Sequence, residues 1–114
     1  MTHHTFAEIV SRMIRHCEDT LVLKGEEYSR NGDRLWNFKV AARKLGCSPE
    51  EALLGMKVKH DVSIDDIVSE VQRGKLPAMP VLMEKFGDSI NYNLLLLALI
   101  LEKIHDNNGK PAQG

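Results

Sequence analysis

Apolar residues recur every three to four positions along three long stretches of this chain, and nowhere do they alternate with the two-residue rhythm of a strand. In the first stretch the stripe runs Phe6, Ile9, Val10, Met13, Ile14, Cys17 and Leu21. Thr5 and Glu8 form a capping-box pattern that opens this helix, and Asn31-Gly32 is a turn signal that ends it. Continuing the stripe brings Lys24, Glu27 and Tyr28 to the core side. Residues 33–47 hold a loop carrying Trp36-Asn37-Phe38 and then a short helix that closes at Gly46. The next helix starts with Ser48 at the N-cap, Pro49 at N1 and Glu51 at N3, and stops by Gly74. Its inward face reads Leu53, Met56, His60, Ile64 and Ile67, with Lys57 at the edge.

The final stretch, 80–104, puts polar groups where a helix should be buried. Successive residues turn by about 100°, so Glu84, Asp88, Asn91 and Leu95 fall within roughly 60° of one direction, and Leu99 extends the stripe. Leu94–Leu101 is apolar on every side and is expected to be enclosed by neighbours. The elements add up to an all-α antiparallel bundle of three long helices and one or two short ones. The leucine-rich segment exceeds what one small bundle can cover, which predicts a homodimer or homotetramer built on it.

Composition narrows the function classes. With 114 residues the chain has room for one core, expected over 1–106, followed by a polar tail at 107–114 that frays. A net charge of −1 gives no bias toward nucleic acid or membrane surfaces. Residues 41–60 also look like a helix-turn-helix, but Glu50 and Glu51 stand where a reading helix contacts DNA, so nucleic acid is not an expected partner. The longest apolar run is far short of the ~20 residues that cross a bilayer. Cys17 and Cys47 form no pair motif and no signal peptide is visible, which favours a reducing, cytoplasmic setting.

Three helices thus bring polar residues to the inward part of an apolar stripe: Lys24, Glu27 and Tyr28; Lys57 and His60; Glu84, Asp88 and Asn91. Either they share one polar pocket, the usual place for metal and cofactor sites in bundles, or they form scattered ion pairs such as Lys24–Glu84. Glu84 and Asp88, at i and i+4, offer oxygen ligands to Mg²⁺, although Glu84 also suits a helix N-terminus on electrostatic grounds alone. His60 is a candidate base or a satisfied core histidine. Trp36 and Phe38 either stack on a nucleobase or cap the core. Lys24 either meets a phosphate or snorkels past its helix end.

The patterns K-x-x-E-Y at 24–28, W-N-F at 36–38, K-H at 59–60 and E-K-x-x-D-x-x-N-Y at 84–92 resemble small phage and prophage proteins, of a nucleotide-modification-associated type, that are related to the MazG-like all-α nucleoside triphosphate pyrophosphatases. The resemblance covers about residues 20–104. It implies a MazG-like bundle in nucleotide metabolism, acting in a bacterial or phage-infected cytoplasm as a Mg²⁺-dependent pyrophosphohydrolase or as a nucleotide binder. On this resemblance Glu84, Asp88 and Glu27 hold Mg²⁺, while Lys24 and the catalytic candidates Lys57 and His60 neutralise phosphates. Trp36 or Tyr92 stacks on the base, Asn37 or Asn91 hydrogen-bonds to it, and Tyr28 completes the substrate side. This chain departs from the family in its first acidic motif, where only Glu26 and Glu27 stand, and in the i, i+4 spacing of the second. The rival expectation is a non-catalytic helical protein that engages a host or phage partner through the leucine-rich helix.

Overall fold

Local chemistry at the helix ends sets the boundaries of four helices in the computed structural model, which describes residues 1–108. They are α1 (His3–Tyr28), α2 (Trp36–Leu45), α3 (Pro49–Gln72) and α4 (Met79–Asn108), and no strand occurs among the described residues. The tail expected over 107–114 begins as the last two residues of α4, and 109–114 lie outside the described residues. Ser48 caps α3 as its sequence predicts: its hydroxyl accepts from the Glu51 amide, and Glu51 reaches back to the Ser48 amide. The cap of α1 is Thr2 rather than Thr5. Thr2 Oγ1 accepts from the Thr5 amide at 3.1 Å, which makes Thr5 an early helical residue, and Glu8 pairs with His4 at 3.0 Å instead of folding back.

Between α1 and α2 the chain reverses at Asn31 (φ 54°) and Gly32 (φ 75°), where left-handed backbone suits asparagine and glycine. Arg30 and Asp33 exchange backbone hydrogen bonds across this turn. Asp33 Oδ1 then accepts from the Leu35 amide at 3.0 Å, just before α2 starts at Trp36. Trp36, Asn37 and Phe38 therefore form the first turn of α2, not the loop that the sequence predicts. Gly46 (φ 69°) ends α2 in left-handed geometry, with the Cys47 amide donating to the Ala42 carbonyl.

The apolar core sits where α2, α3 and α4 meet. Leu53 is fully buried and packs with Leu35, Phe38 and Leu99, and Met56, Tyr92, Leu95 and Leu96 close around them. Helices α3 and α4 run antiparallel, since Glu50 borders one groove with Glu102 and Asp106 while His60 lies beside Asp88. Helix α1 runs in the same sense as α4: Cys17 meets the Gly87 carbonyl, and Leu21 shares a groove with Ile90 and Leu94. Gly87 permits this approach. A β-carbon there would stand 2.7 Å from the His16 ring.

Two apolar faces lack the cover that their composition predicts. Residues 1–12 of α1 and its approach are all exposed, including Phe6, Ile9 and Val10 of the stripe. The leucine-rich part of α4 is not enclosed either, because Leu94, Leu97, Ile100 and Leu101 are exposed while Leu99 is buried. With α1 and α3 along it and short α2 touching it only locally, α4 has more apolar circumference than neighbours. The extents of 59 × 32 × 30 Å and a radius of gyration of 17.4 Å, against ~13 Å for a compact chain of this length, reflect the projecting α1. No described helix is long and apolar enough to cross a membrane.

Candidate functional site

A cleft opens beside the core, between the C-terminal half of α1, the start of α2, the middle of α3 and the first half of α4. Its volume is about 210 Å³. Lys24 and Tyr28 reach it from α1, Arg34 from the connecting loop, Asn37 and Phe38 from α2, Lys59 and His60 from α3, and Asp88, Asn91 and Tyr92 from α4. Helical periodicity explains most of this convergence. Lys24, Tyr28, His60 and Asn91 continue stripes whose other turns are core, so the cleft is the place where inward helix faces run out of apolar filling.

His60 is the centre of the arrangement. Its ring lies 4.5 Å from the Tyr92 ring, centroid to centroid, and Tyr92 in turn meets Phe38 edge-on at 6.4 Å. Nδ1 of His60 stands 3.7 Å from Asp88 Oδ2, close enough for charge attraction and too long for a hydrogen bond. Burial holds the imidazole below its ordinary pKa; Asp88 opposes that shift, and Lys59 and Lys85 reinforce it. Tyr92 is pushed up by burial, with Tyr28 and Asp88 adding to the effect. The neighbouring Cys17 thiol is raised for the same first reason.

The polar floor of the cleft has unmet hydrogen-bonding capacity. Asn91 is 5% exposed, and neither its Nδ2 nor its Oδ1 has a partner. Nε2 of His60 and Oδ1 of Asn37 are likewise buried and unpartnered. Four such atoms on three residues that border one cavity are a ready-made set of donors and acceptors, since leaving a buried polar atom unpaired costs about 1–3 kcal/mol. At the rim Lys24 lies 5.5 Å from the Tyr28 ring centroid and 3.5 Å from Glu27, and its ammonium pKa is raised, first by Tyr28 and then by Glu27. The Arg34 guanidinium donates to the Leu21 carbonyl at 3.3 Å.

Of the residues singled out from sequence, Lys24, Tyr28, Asn37, His60, Asp88, Asn91 and Tyr92 border this cleft. The other four do not. Lys57 turns along its own helix and holds both oxygens of Asp61 at 3.0 Å. Glu27 and Trp36 border an adjoining shallow depression that shares Tyr28 and Asn37 with the cleft, and the Trp36 ring takes the Arg43 guanidinium at 5.3 Å. Glu84 is exposed, 3.9 Å from Lys85. The packed line of α4 runs through Met83, Gly87, Asn91, Leu95 and Leu99 in steps of four, so Glu84 lies about 100° of rotation off it. Asp88, also one residue past the line, reaches the cleft from its side.

Glu27 and Glu84 thus do not border the cleft with Asp88, and no group of three metal-ligating side chains forms among the described residues. Asp88 is the one carboxylate of the cleft, facing three cationic side chains. By itself this set gives Mg²⁺ a single carboxylate donor among cations. Arg34 and Lys59 are the residues that stripe reasoning missed. Arg34 sits in a loop, where no period predicts direction, and Lys59 was legible only as the neighbour of His60. Comparisons with protein-family models, with curated proteins and with solved structures found no match.

Proposed function

We propose that this cleft binds a nucleotide, and that the protein serves nucleotide metabolism of the phage or prophage type on a MazG-like scaffold. The observation that carries the reading is the set of unpartnered polar atoms of Asn37, His60 and Asn91 bordering one cleft with Lys24, Arg34 and Lys59. A heterocycle supplies the donors and acceptors that Asn91 lacks, and a phosphate supplies charge for the lysines. Burial keeps His60 neutral near pH 7, so its free Nε2 accepts a hydrogen bond when Nδ1–H faces Asp88. Hydrolysis is not part of the proposal, because the acidic residues that it would require are dispersed. The test is a thermal-shift and calorimetric screen of nucleosides and nucleotides against the parent and Asn91→Leu. Expected are a rise in Tm with at least one nucleotide in the parent and none in the variant. An unresponsive parent would reject the reading.

A second reading is carried by a different observation, the exposed apolar faces of α1 and α4. Phe6, Ile9 and Ile14 on one helix and Leu94, Leu97 and Leu101 on the other make a surface suited to protein contact. We propose self-association as a homodimer or homotetramer through this surface, with a host or phage protein as the alternative occupant. Light scattering at micromolar concentration checks it: a multiple of the 12.9 kDa chain mass is expected, and a monomer counts against it.

A further inference from the structure

We propose that the cleft is built for a singly phosphorylated nucleotide, a nucleoside monophosphate bound without a divalent metal. This rests on the nucleotide reading above and narrows it by charge and by the polarity of the cleft.

Charge comes first. Lys24, Arg34 and Lys59 border the cleft with Asp88 as the one opposing carboxylate, which leaves two positive charges. A phosphate monoester carries about −1.5 to −2 at pH 7, so the protein alone can balance it. A triphosphate brings further ionised phosphates that these side chains cannot match and that Mg²⁺ ordinarily screens. Any dication next to Asp88 would stand among the same three cations. Glu27, the partner of Lys24, borders the adjoining depression and is more than half exposed, so it competes weakly for that ammonium.

Size sets the pose. At about 210 Å³ the cavity is smaller than the ~300–1,000 Å³ of sites that enclose a whole drug-sized ligand, so it takes one end of a nucleotide and leaves the other at the open rim. The polar atoms of Asn91 and His60 lie at its buried end and the cations of Lys24 and Lys59 toward its exposed rim, as their burial shows. A ligand with a heterocycle at one end and one phosphate at the other matches that polarity.

Isothermal titration calorimetry on the full chain decides the matter, using the 5′-monophosphates and 5′-triphosphates of adenosine, guanosine, cytidine and uridine, and inorganic phosphate. Each is titrated once in EDTA and once in excess Mg²⁺. Expected is binding of at least one monophosphate in EDTA, unchanged by Mg²⁺, with its triphosphate weaker. Lys59→Gln should lower that affinity about tenfold or more, because a charge-assisted hydrogen bond is lost at an exposed position that leaves folding intact. Lys24→Gln supplies an independent second loss. Triphosphates that bind only with Mg²⁺, with the monophosphates silent, would overturn this proposal while sparing the nucleotide reading. Inorganic phosphate binding as tightly as every monophosphate would overturn it too, since the base contacts would then be idle. Silence from all nucleotides would reject both.

Discussion

Leu99 and Asn91 lie on the same face of α4, two steps of four residues apart, and are almost equally buried at 3% and 5% exposure. Their surroundings differ in kind. Around Leu99 the side chains of Leu35, Phe38 and Leu53 fill the space, so burial converts directly into stability. Around Asn91, where α1 joins the other three helices, the packing leaves a cavity, and both amide atoms lack partners. Equal burial therefore means opposite energetics. One end of the stripe holds the fold together, and the other is held in place by it at a cost. A site that is expensive in the free protein and rich in unmet hydrogen bonds has the character of a binding site.

Substitution at the two ends should separate them by sign. Leu53→Ala, at the fully buried centre of the packed end, is expected to lose about 2–5 kcal/mol in chemical denaturation, since the cavity cannot collapse against three helices. Asn91→Leu should do the reverse and gain about 1–3 kcal/mol, by replacing unpaired polar atoms with an apolar side chain next to Leu95, while abolishing the nucleotide response. A net loss of stability in Asn91→Leu would show that the amide has partners in solution, and the contrast between the two ends would collapse.

How far the sequence anticipates this arrangement depends on what sets each feature. Helix number, the Ser48 capping box and the Gly46 stop are local, and they are legible because one or two side chains decide them. The inward face of α3 is legible for a similar reason: a stripe of Leu53, Met56, His60 and Ile67 needs no knowledge of its neighbours. Glu84 illustrates the limit. Its place on a stripe drawn through 84, 88 and 91 is sound on α4 alone, but the neighbours follow the row through Met83 and Gly87, and only the packing partners select between those two rows. Arg34 is illegible because a loop has no period. Trp36 borders a neighbouring depression instead, where Arg43, about two turns later on α2, offers its ring a cation. The exposed stripe of α1 is correctly apolar, yet no sequence pattern specifies whether its cover comes from the same chain.

A satisfied polar cluster gives a smaller, intermediate test of the same contrast. Lys39 holds Asp33 and Glu102 at 2.7 Å each, tying the α1–α2 loop and α2 to α4. The hydrogen bond from Lys39 depresses the Asp33 pKa, as expected of a carboxylate with a real partner. Lys39→Met is predicted to cost about 1 kcal/mol, because these partly exposed pairs are screened by solvent. Denaturant midpoints at low and high salt check it: the loss should shrink as salt rises. A stability gain here, of the kind expected at Asn91, would mean that the two polar clusters do not differ.

The smallest effect concerns pH. His60 titrates below its ordinary value near 6.5, with burial the leading cause; Lys59 and Lys85 act in the same direction, and Asp88 and Asp61 oppose them. The unfolded chain therefore binds a proton at His60 more readily than the folded one. Stability attached to His60 is fully present above pH 6.5 and is lost as pH falls from there toward the folded-state value. Asp33 behaves differently in its window: its depressed pKa keeps its contribution intact until pH falls below about 3.8. Between these limits the slope belongs to His60 once the exposed histidines are cancelled by comparison. Thermal melts of the parent and of His60→Gln, in steps from pH 8 to pH 5, should show the parent losing more stability on acidification. The excess should be small, because attraction to Asp88 and Asp61 offsets part of the burial effect. If acid instead stabilises the parent relative to His60→Gln, then attraction to Asp88 outweighs burial. The imidazole would be charged near neutrality, and the cleft would be one positive charge richer than the monophosphate proposal requires.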